Sequence, residues 1–475
     1  MSLVCAKSRN ERISLIMVPV LSGPVTKPLL SNAGVLAPST CNQIRIELPP
    51  LVEICVSQLS RVDLGPLVVR RPALSDAQQQ SKRPSRLGLL FVSNPKRMFK
   101  LLGLLLCCWA SLSAGRLTTS GRDFYYNAQK VFLSGANIAW NSYGYDFGNG
   151  QYTANSKSTL ESWLTQISTN GGNSIRIWLH VEGANTPAFD SNGLVTGPDS
   201  TGTMINDMRS FLDFAQTKDI LVIFALWNGA YLREQNTINL FWDEVKLQSY
   251  IDNALKPMVS ALGNHPALGA WEIINEPEGS LFNNQANGNP CFDTTPLKDT
   301  GAGWTNLYIP MQNILKFVNW QADGVKQANS AALVTLGSWS EHAQTDTKSQ
   351  SRNYYTDSCL VAGGGRANGK LDFYQMHTYS YNGRWNTDAP FKVSGSSYGL
   401  DKPLVIGEFA SVCAQNEGIQ NLFQYAYDNS YQGVWSWQYN AGGECSDTQA
   451  TQNSGMNKLK GQNGAAGAVT FPVGF

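Results

Sequence analysis

Eight short apolar runs recur along the chain, at 132–138, 174–178, 220–226, 268–275, 332–336, 373–376, 403–406 and 433–437. Several are nearly uninterrupted, as in Ile220-Leu-Val-Ile-Phe-Ala-Leu226, where a half-exposed strand would alternate. Continuous runs are what parallel strands covered on both faces require. Helical stretches at 157–170, 205–217, 243–262, 307–329, 353–361 and 418–429 separate most of them. Parallel neighbours need such crossovers, because a tight turn reverses the chain only once. The rhythm predicts an α/β fold, a (β/α)8 TIM barrel, preceded by a short hairpin over 116–130 that turns at Asn127-Ala-Gln. The rival is an open doubly wound sheet, which usually carries a glycine-rich phosphate loop after its first strand. Here the first strand runs on into Asn137-Ile-Ala-Trp140 instead.

A barrel gathers the C-terminal ends of its strands at one mouth, where chemistry sits. Arg176, Asn275, Glu276, His377, Glu408 and Trp437 all fall at or just past such ends. The stretch Gly269-Ala-Trp-Glu-Ile-Ile-Asn-Glu-Pro277 is the sharpest case. Trp271, Ile273 and Ile274 favour a strand, and Pro277, with no N–H to donate, ends the ladder just after a glutamate. A carboxyl at a buried strand end is partly desolvated, which lifts its pKa toward that of a general acid. Glu276 is therefore the candidate acid/base. Glu408, in Ile406-Gly-Glu-Phe409, is the candidate nucleophile, since two carboxyls flanking one bond are the machinery of glycoside hydrolysis. It must stay ionised, which Arg176 and the Tyr379 hydroxyl would favour as cation and donor. The Asn275 amide is placed to meet a sugar 2-hydroxyl, a contact that strengthens at the transition state. His377 and Tyr379 share one side of an extended chain. Trp437 is expected as a stacking floor, with Trp435 two residues deeper. Taken singly, a strand-end glutamate is more often a cap and a lone histidine a satisfied core residue. The joint occurrence at the ends of strands two, four, six, seven and eight carries the assignment. Glu272, deeper in its run, is expected to be structural. Glu182, Glu278, Glu341, His180, His265 and His342 receive no role.

Composition adds two constraints. The chain holds 13 tryptophans, and aromatic faces are suited to the apolar C–H surface of a sugar ring. Trp140, Trp304 and Trp339 are candidate platforms along an open cleft. The formal net charge of +1, with no basic stripe, argues against nucleic acid as a partner. A monomer is expected. Composition also breaks near residue 115. Residues 1–97 contain one aromatic, Phe91, and 13 Lys or Arg against 5 Asp or Glu, too little from which to build a core. They are expected to be a non-globular extension or an upstream translation artefact. Residues 98–115 read as a secretory signal peptide beginning at Met98. A positive region is followed by the apolar run 101–110, too short to span a bilayer comfortably, and then by small residues for cleavage. A membrane anchor is the competing reading. The catalytic domain would be 116–475, secreted and without stable membrane association.

Cysteine usage agrees with export. Cys291, Cys359, Cys413 and Cys445 fall in 116–475, and four cysteines allow three pairings. We favour Cys291–Cys359 and Cys413–Cys445, because each would join loops that follow neighbouring strands. Neither CxxC nor HExxH occurs, so no metal is expected, and no organic cofactor.

The ordered set Asn275-Glu276-Pro277, Ile175-Arg-Ile177, His377-x-Tyr379, Ile406-Gly-Glu408-Phe409 and Trp435-Ser-Trp437 resembles glycoside hydrolase family 5, a group of retaining (β/α)8 enzymes. Gly135-Ala-Asn-Ile-Ala-Trp-Asn141 and Trp271-Glu-Ile-Ile-Asn-Glu-Pro-Glu-Gly279 are most similar to its invertebrate, mollusc-like endo-β-1,4-mannanases. The resemblance covers 116–475. It implies Glu276 as acid/base, Glu408 as nucleophile, and Arg176, Asn275, His377, Tyr379 and Trp437 as the surrounding shell. The implied substrate is a β-mannan, whether mannan, glucomannan or galactomannan. An endo-β-1,4-glucanase on the same scaffold is the alternative, and a non-catalytic carbohydrate-binding barrel a further one. One departure stands out. Many members carry a histidine after the third strand, where this chain has Ala225-Leu-Trp-Asn228, leaving Trp227 or Asn228 to fill the place.

Overall fold

The computed structural model describes residues 2–7, 13–18, 115–380, 386–415 and 417–474, in two units, Met1–Ser113 and Ala114–Phe475. In the first, Ser2–Lys7 pairs antiparallel with Ile13–Val18, a pairing the sequence reading did not anticipate. The remainder of the expected extension, and residues 98–114 of the expected signal segment, lie outside the described residues.

The second unit is built on a closed barrel of parallel strands: β1 (Leu133–Ala139), β2 (Ser174–Val181), β3 (Leu221–Asn228), β4 (Leu268–Asn275), β5 (Val334–Ser338), β6 (Tyr374–His377), β7 (Leu404–Glu408) and β8 (Gly433–Ser436). Neighbours follow chain order, and β8 closes on β1 with Gly433 opposite Leu133. Every residue of β1 to β4 is buried, as the unbroken apolar runs require. Several strands run further toward the mouth than their apolar sequence, taking in His180, Asn228, Ser338, His377 and Glu408.

The helices cover the barrel with periodic apolar faces. Met204–Gln216 buries Met204, Met208, Phe211, Leu212 and Ala215 at three- and four-residue spacing. The expected helix over 243–262 is Glu244–Tyr250 and Lys256–Leu262 joined through a wide turn at Ile251–Leu255. Pro257 lacks the N–H that would close a regular turn there. Asp243 caps the start, accepting from the N–H groups of Val245 and Lys246. The helix expected from 307 begins at Met311, behind Pro310. Two helices went unread, Gln235–Trp242 and Gln449–Leu459; the second, largely polar, gives little periodic signal.

The expected hairpin is larger than foreseen. Leu117–Ser120, Asp123–Tyr126 and Gln129–Val131 form a meander that Asn463–Gly464 and Gly467–Ala468 extend to a five-stranded sheet. Asn127 and Ala128 take φ of 49° and 63°, the left-handed pair that matches strand twist in a two-residue turn. Phe124 meets Phe373, just before β6, edge-on at 5.1 Å, and the Tyr126 hydroxyl donates to the carbonyl of Pro266, just before β4. The sheet therefore lies across the N-terminal end of the barrel, and the other end is the mouth. Both disulfides have the expected partners. Cys291–Cys359 and Cys413–Cys445 have Cα separations of 5.1 and 5.2 Å. The second ties the loop after β7 to the loop after β8.

Candidate active site

Arg176, on β2 and fully buried, is the hub of the barrel interior. A guanidinium has five N–H groups, and here each has an acceptor. Glu272 takes two, at 2.6 and 2.5 Å; Asn137 one at 2.9 Å; Glu408 one at 2.6 Å; Asn275 one at 2.8 Å. Burial works against the charge, but Glu272 and Glu408 more than offset it, so the pKa rises. Glu272 is structural, as expected, and also accepts from Gln375 at 2.9 Å.

Consecutive residues of a strand point to opposite faces, yet Asn275 and Glu276 both reach this site. The backbone explains it: Glu276 sits at φ 42°, ψ 57°, a left-handed conformation that costs a non-glycine residue about 1–3 kcal/mol. Its N–H donates to the Gly337 carbonyl at 2.6 Å, and Pro277 disfavours the right-handed helical alternative for the residue before it. The turn Pro277–Ser280 follows directly.

One Glu276 oxygen lies 2.7 Å from His377 Nδ1. Burial raises the Glu276 carboxyl to about 7, with Arg176 pulling down and Glu272 pushing up. Burial likewise lowers His377 to about 4, so the imidazole is neutral near pH 7. Burial also raises Glu408, but Arg176 and the Tyr379 hydroxyl, which donates at 2.9 Å, draw it back. Of these two glutamates Glu408 alone bonds directly to the guanidinium, so its charged form is the better stabilised and Glu276 is the one that holds a proton more readily. One carboxyl oxygen of each glutamate and one His377 nitrogen all lie within 4.8 Å of one another. Two ligands on one tetrahedral zinc stand about 3.3 Å apart. The 2.7 Å contact is shorter and has the geometry of a hydrogen bond.

Aromatic residues form the walls. A cleft of about 490 Å³ is lined by Glu276, His377, Tyr379, Trp304 and Trp339, the two indoles 6.5 Å apart. Trp140, Trp178 and Trp437 cluster elsewhere on the mouth, with ring centroids 5.1 to 5.8 Å apart. The Trp437 N–H donates to the carbonyl of Phe409, one residue past Glu408.

No family model matches the chain. Whole-length relatives do. The chain is 54% identical over 374 residues to the mannan endo-1,4-beta-mannosidase of Cryptopygus antarcticus, covering 78% of this chain and 97% of that protein. It is 48% identical over 324 residues to that of Mytilus edulis, covering 68% and 87%. The crystal structure of an endo-1,4-beta-mannanase from Eisenia fetida superposes with a TM-score of 0.75 at 47% identity, covering 76% of this chain and 99% of that one. The chain belongs to glycoside hydrolase family 5, among its invertebrate mannanases.

The family resemblance left the end of the third strand open, and the fold fills it with Asn228, whose Oδ1 accepts from Asn275 at 3.0 Å. Trp227 is a correction. It is buried against His180, Tyr250 and Phe317, with its indole N–H on Gln321, and so lies in the helix layer rather than the cleft. Ala225 packs with the mouth aromatics and Asn228 reaches the site, three residues apart, so the two-residue alternation breaks between them and turns Trp227 outward. Trp435 is a second correction. Its indole N–H donates to the Ser174 hydroxyl at 2.9 Å, two residues below Arg176, where it fills the barrel interior. Trp178 was missed, although its two-residue spacing from Arg176 placed it on the same face. Glu278, given no role, is buried and accepts from Tyr355 at 2.6 Å, Ser338 at 3.0 Å and the Trp339 N–H at 3.3 Å, pinning the segment that carries Trp339. Glu341 and His342 also line the cleft.

Proposed function

We propose that the chain is an endo-acting β-1,4-mannanase that cleaves by double displacement with retention of configuration. The glutamate pair carries this reading. Retaining enzymes hold their two carboxyls about 5–5.5 Å apart, inverting ones about 6.5–9.5 Å, and one oxygen of each lies within 4.8 Å of the other here. In the first half-reaction the Glu408 carboxylate attacks the anomeric carbon while Glu276 gives its proton to the departing glycosidic oxygen. In the second, Glu276 takes a proton from water as that water attacks the mannosyl–Glu408 ester. Arg176 and Tyr379 hold Glu408 in its charged form and in place. Aromatic walls on both sides suit the interior of a polymer, and the printed function of the relatives supports β-mannan as that polymer. The two disulfides fit an oxidising, extracellular setting, and no helix among the described residues is long and apolar enough to cross a membrane.

A reducing-sugar assay across mannan, glucomannan, galactomannan and carboxymethyl-cellulose tests the substrate. Release from the mannans at a rate well above that on carboxymethyl-cellulose is expected, and the reverse order would make the chain a glucanase. Proton NMR of the first product anomer tests the mechanism, and an α-anomer appearing first would sink retention. Activity is expected to fall as pH rises through about 7, where Glu276 loses its proton; a basic limb unmoved by Glu276→Gln would assign it elsewhere. Trp339→Ala is expected to raise KM for mannooligosaccharides about tenfold, the loss of one stacking face. Unchanged kinetics would remove Trp339 from the binding path.

A further inference from the structure

We propose that Glu182 is a positioning residue, which orients the amide of Asn275 through Asn228. The proposal rests on the hydrolase reading above. Glu182 follows directly on β2, and its Oε1 accepts the Tyr143 hydroxyl at 2.5 Å and Asn228 Nδ2 at 3.3 Å. Asn228 Nδ2 also donates to the Tyr143 oxygen at 3.0 Å. On its other side, Asn228 Oδ1 accepts the Ala230 backbone N–H at 3.1 Å and Asn275 Nδ2 at 3.0 Å. Asn275 Oδ1 in turn accepts from Arg176 at 2.8 Å.

The order of donors along this chain is forced. Arg176 can only donate, so the oxygen of Asn275 faces it and the nitrogen faces Asn228. A backbone N–H can only donate, so the oxygen of Asn228 faces Ala230 and Asn275. An ionised Glu182 can only accept, which commits the Tyr143 proton to it and leaves the Tyr143 oxygen to receive Asn228. Two amides thus run head to tail between a fixed acceptor and the guanidinium that also holds Glu408. Without Glu182, Asn228 Nδ2 loses an acceptor and the Tyr143 hydroxyl is free to turn its proton toward that nitrogen, donor against donor, which loosens the amide that holds Asn275. Among the described residues, Asn228 Oδ1 is the acceptor of one Asn275 amide hydrogen, and the other is left for a substrate hydroxyl. The backbone of this segment has a separate tether, because the Glu182 carbonyl accepts the Thr237 hydroxyl at 2.8 Å. A side-chain substitution leaves that bond intact.

The test is a double-mutant cycle on β-mannan with the full chain. Glu182→Ala is expected to lower kcat about tenfold with KM within about twofold, the signature of misplacement rather than lost binding. Glu182→Gln keeps an acceptor oxygen and is expected to recover most of the loss. In an Asn275→Ala background the effect of Glu182→Ala should shrink below about twofold, since the residue it acts through is gone. Tyr143→Phe serves as a second lesion with the same vanishing effect, should Glu182→Ala fold poorly. Equal losses in both backgrounds, or a change confined to KM, overturn the proposal while leaving the hydrolase reading intact. A wild type inert on mannans and glucans alike overturns both. One active only on carboxymethyl-cellulose overturns the substrate alone, and the cycle is then run on that polymer.

Discussion

Glu408→Gln is expected to reduce turnover by about four to six orders of magnitude on every substrate, since in the proposed mechanism it removes the atom that forms the covalent bond. Glu276→Gln is expected to behave differently. On polysaccharide it costs several orders of magnitude, because an alkoxide leaves poorly without a proton. On an aryl mannoside whose phenolate leaves unaided, the first half-reaction is largely spared. The second half-reaction still needs Glu276 as base, so the glycosyl-enzyme should accumulate on Glu408 and appear in the intact mass as one added glycosyl group. This asymmetry follows from the site. Glu408 bonds to Arg176 at 2.6 Å and to Tyr379 at 2.9 Å, whereas Glu276 meets the neutral His377 and keeps 16% of its side chain exposed on the cleft. Equal losses for both variants on both substrate types would reverse or dissolve the assignment.

Arg176→Met is expected to destabilise the barrel by about 3–5 kcal/mol, read as a lowered urea midpoint, because it strands buried carboxylates without a cation. Glu272 is the group most affected. It is fully buried, and its remaining partner would be Gln375 at 2.9 Å. Adding Glu272→Leu is expected to restore much of the stability, since an apolar pair of similar volume can replace a buried ion pair at little cost. Catalysis should not return with it, because Glu408 still lacks its cation. A double variant recovering both would show that Arg176 serves packing alone.

The barrel and the glutamate pair were legible in the chain because both are written in one dimension. Strand length, apolar continuity and the stop at Pro277 mark where β4 ends, and a carboxyl at that point reaches the mouth of any closed parallel barrel. The Ile406-Gly-Glu408 ending does the same for β7, and the cysteine pairing followed from which loops become neighbours. Side-chain direction at the last residues of a strand is a different matter. It depends on a left-handed residue at Glu276 and on breaks in alternation, and these are stabilised by contacts from distant segments. That is why Asn275 and Glu276 face the same way, and why Trp227 turns to the helix layer while Asn228 takes the site. The five acceptors of Arg176 come from three other strands; only closure of the barrel assembles them. Local periodicity thus determined the architecture and the two acids, while the orientation of each group around them was decided by long-range hydrogen bonding that no single stretch of sequence contains.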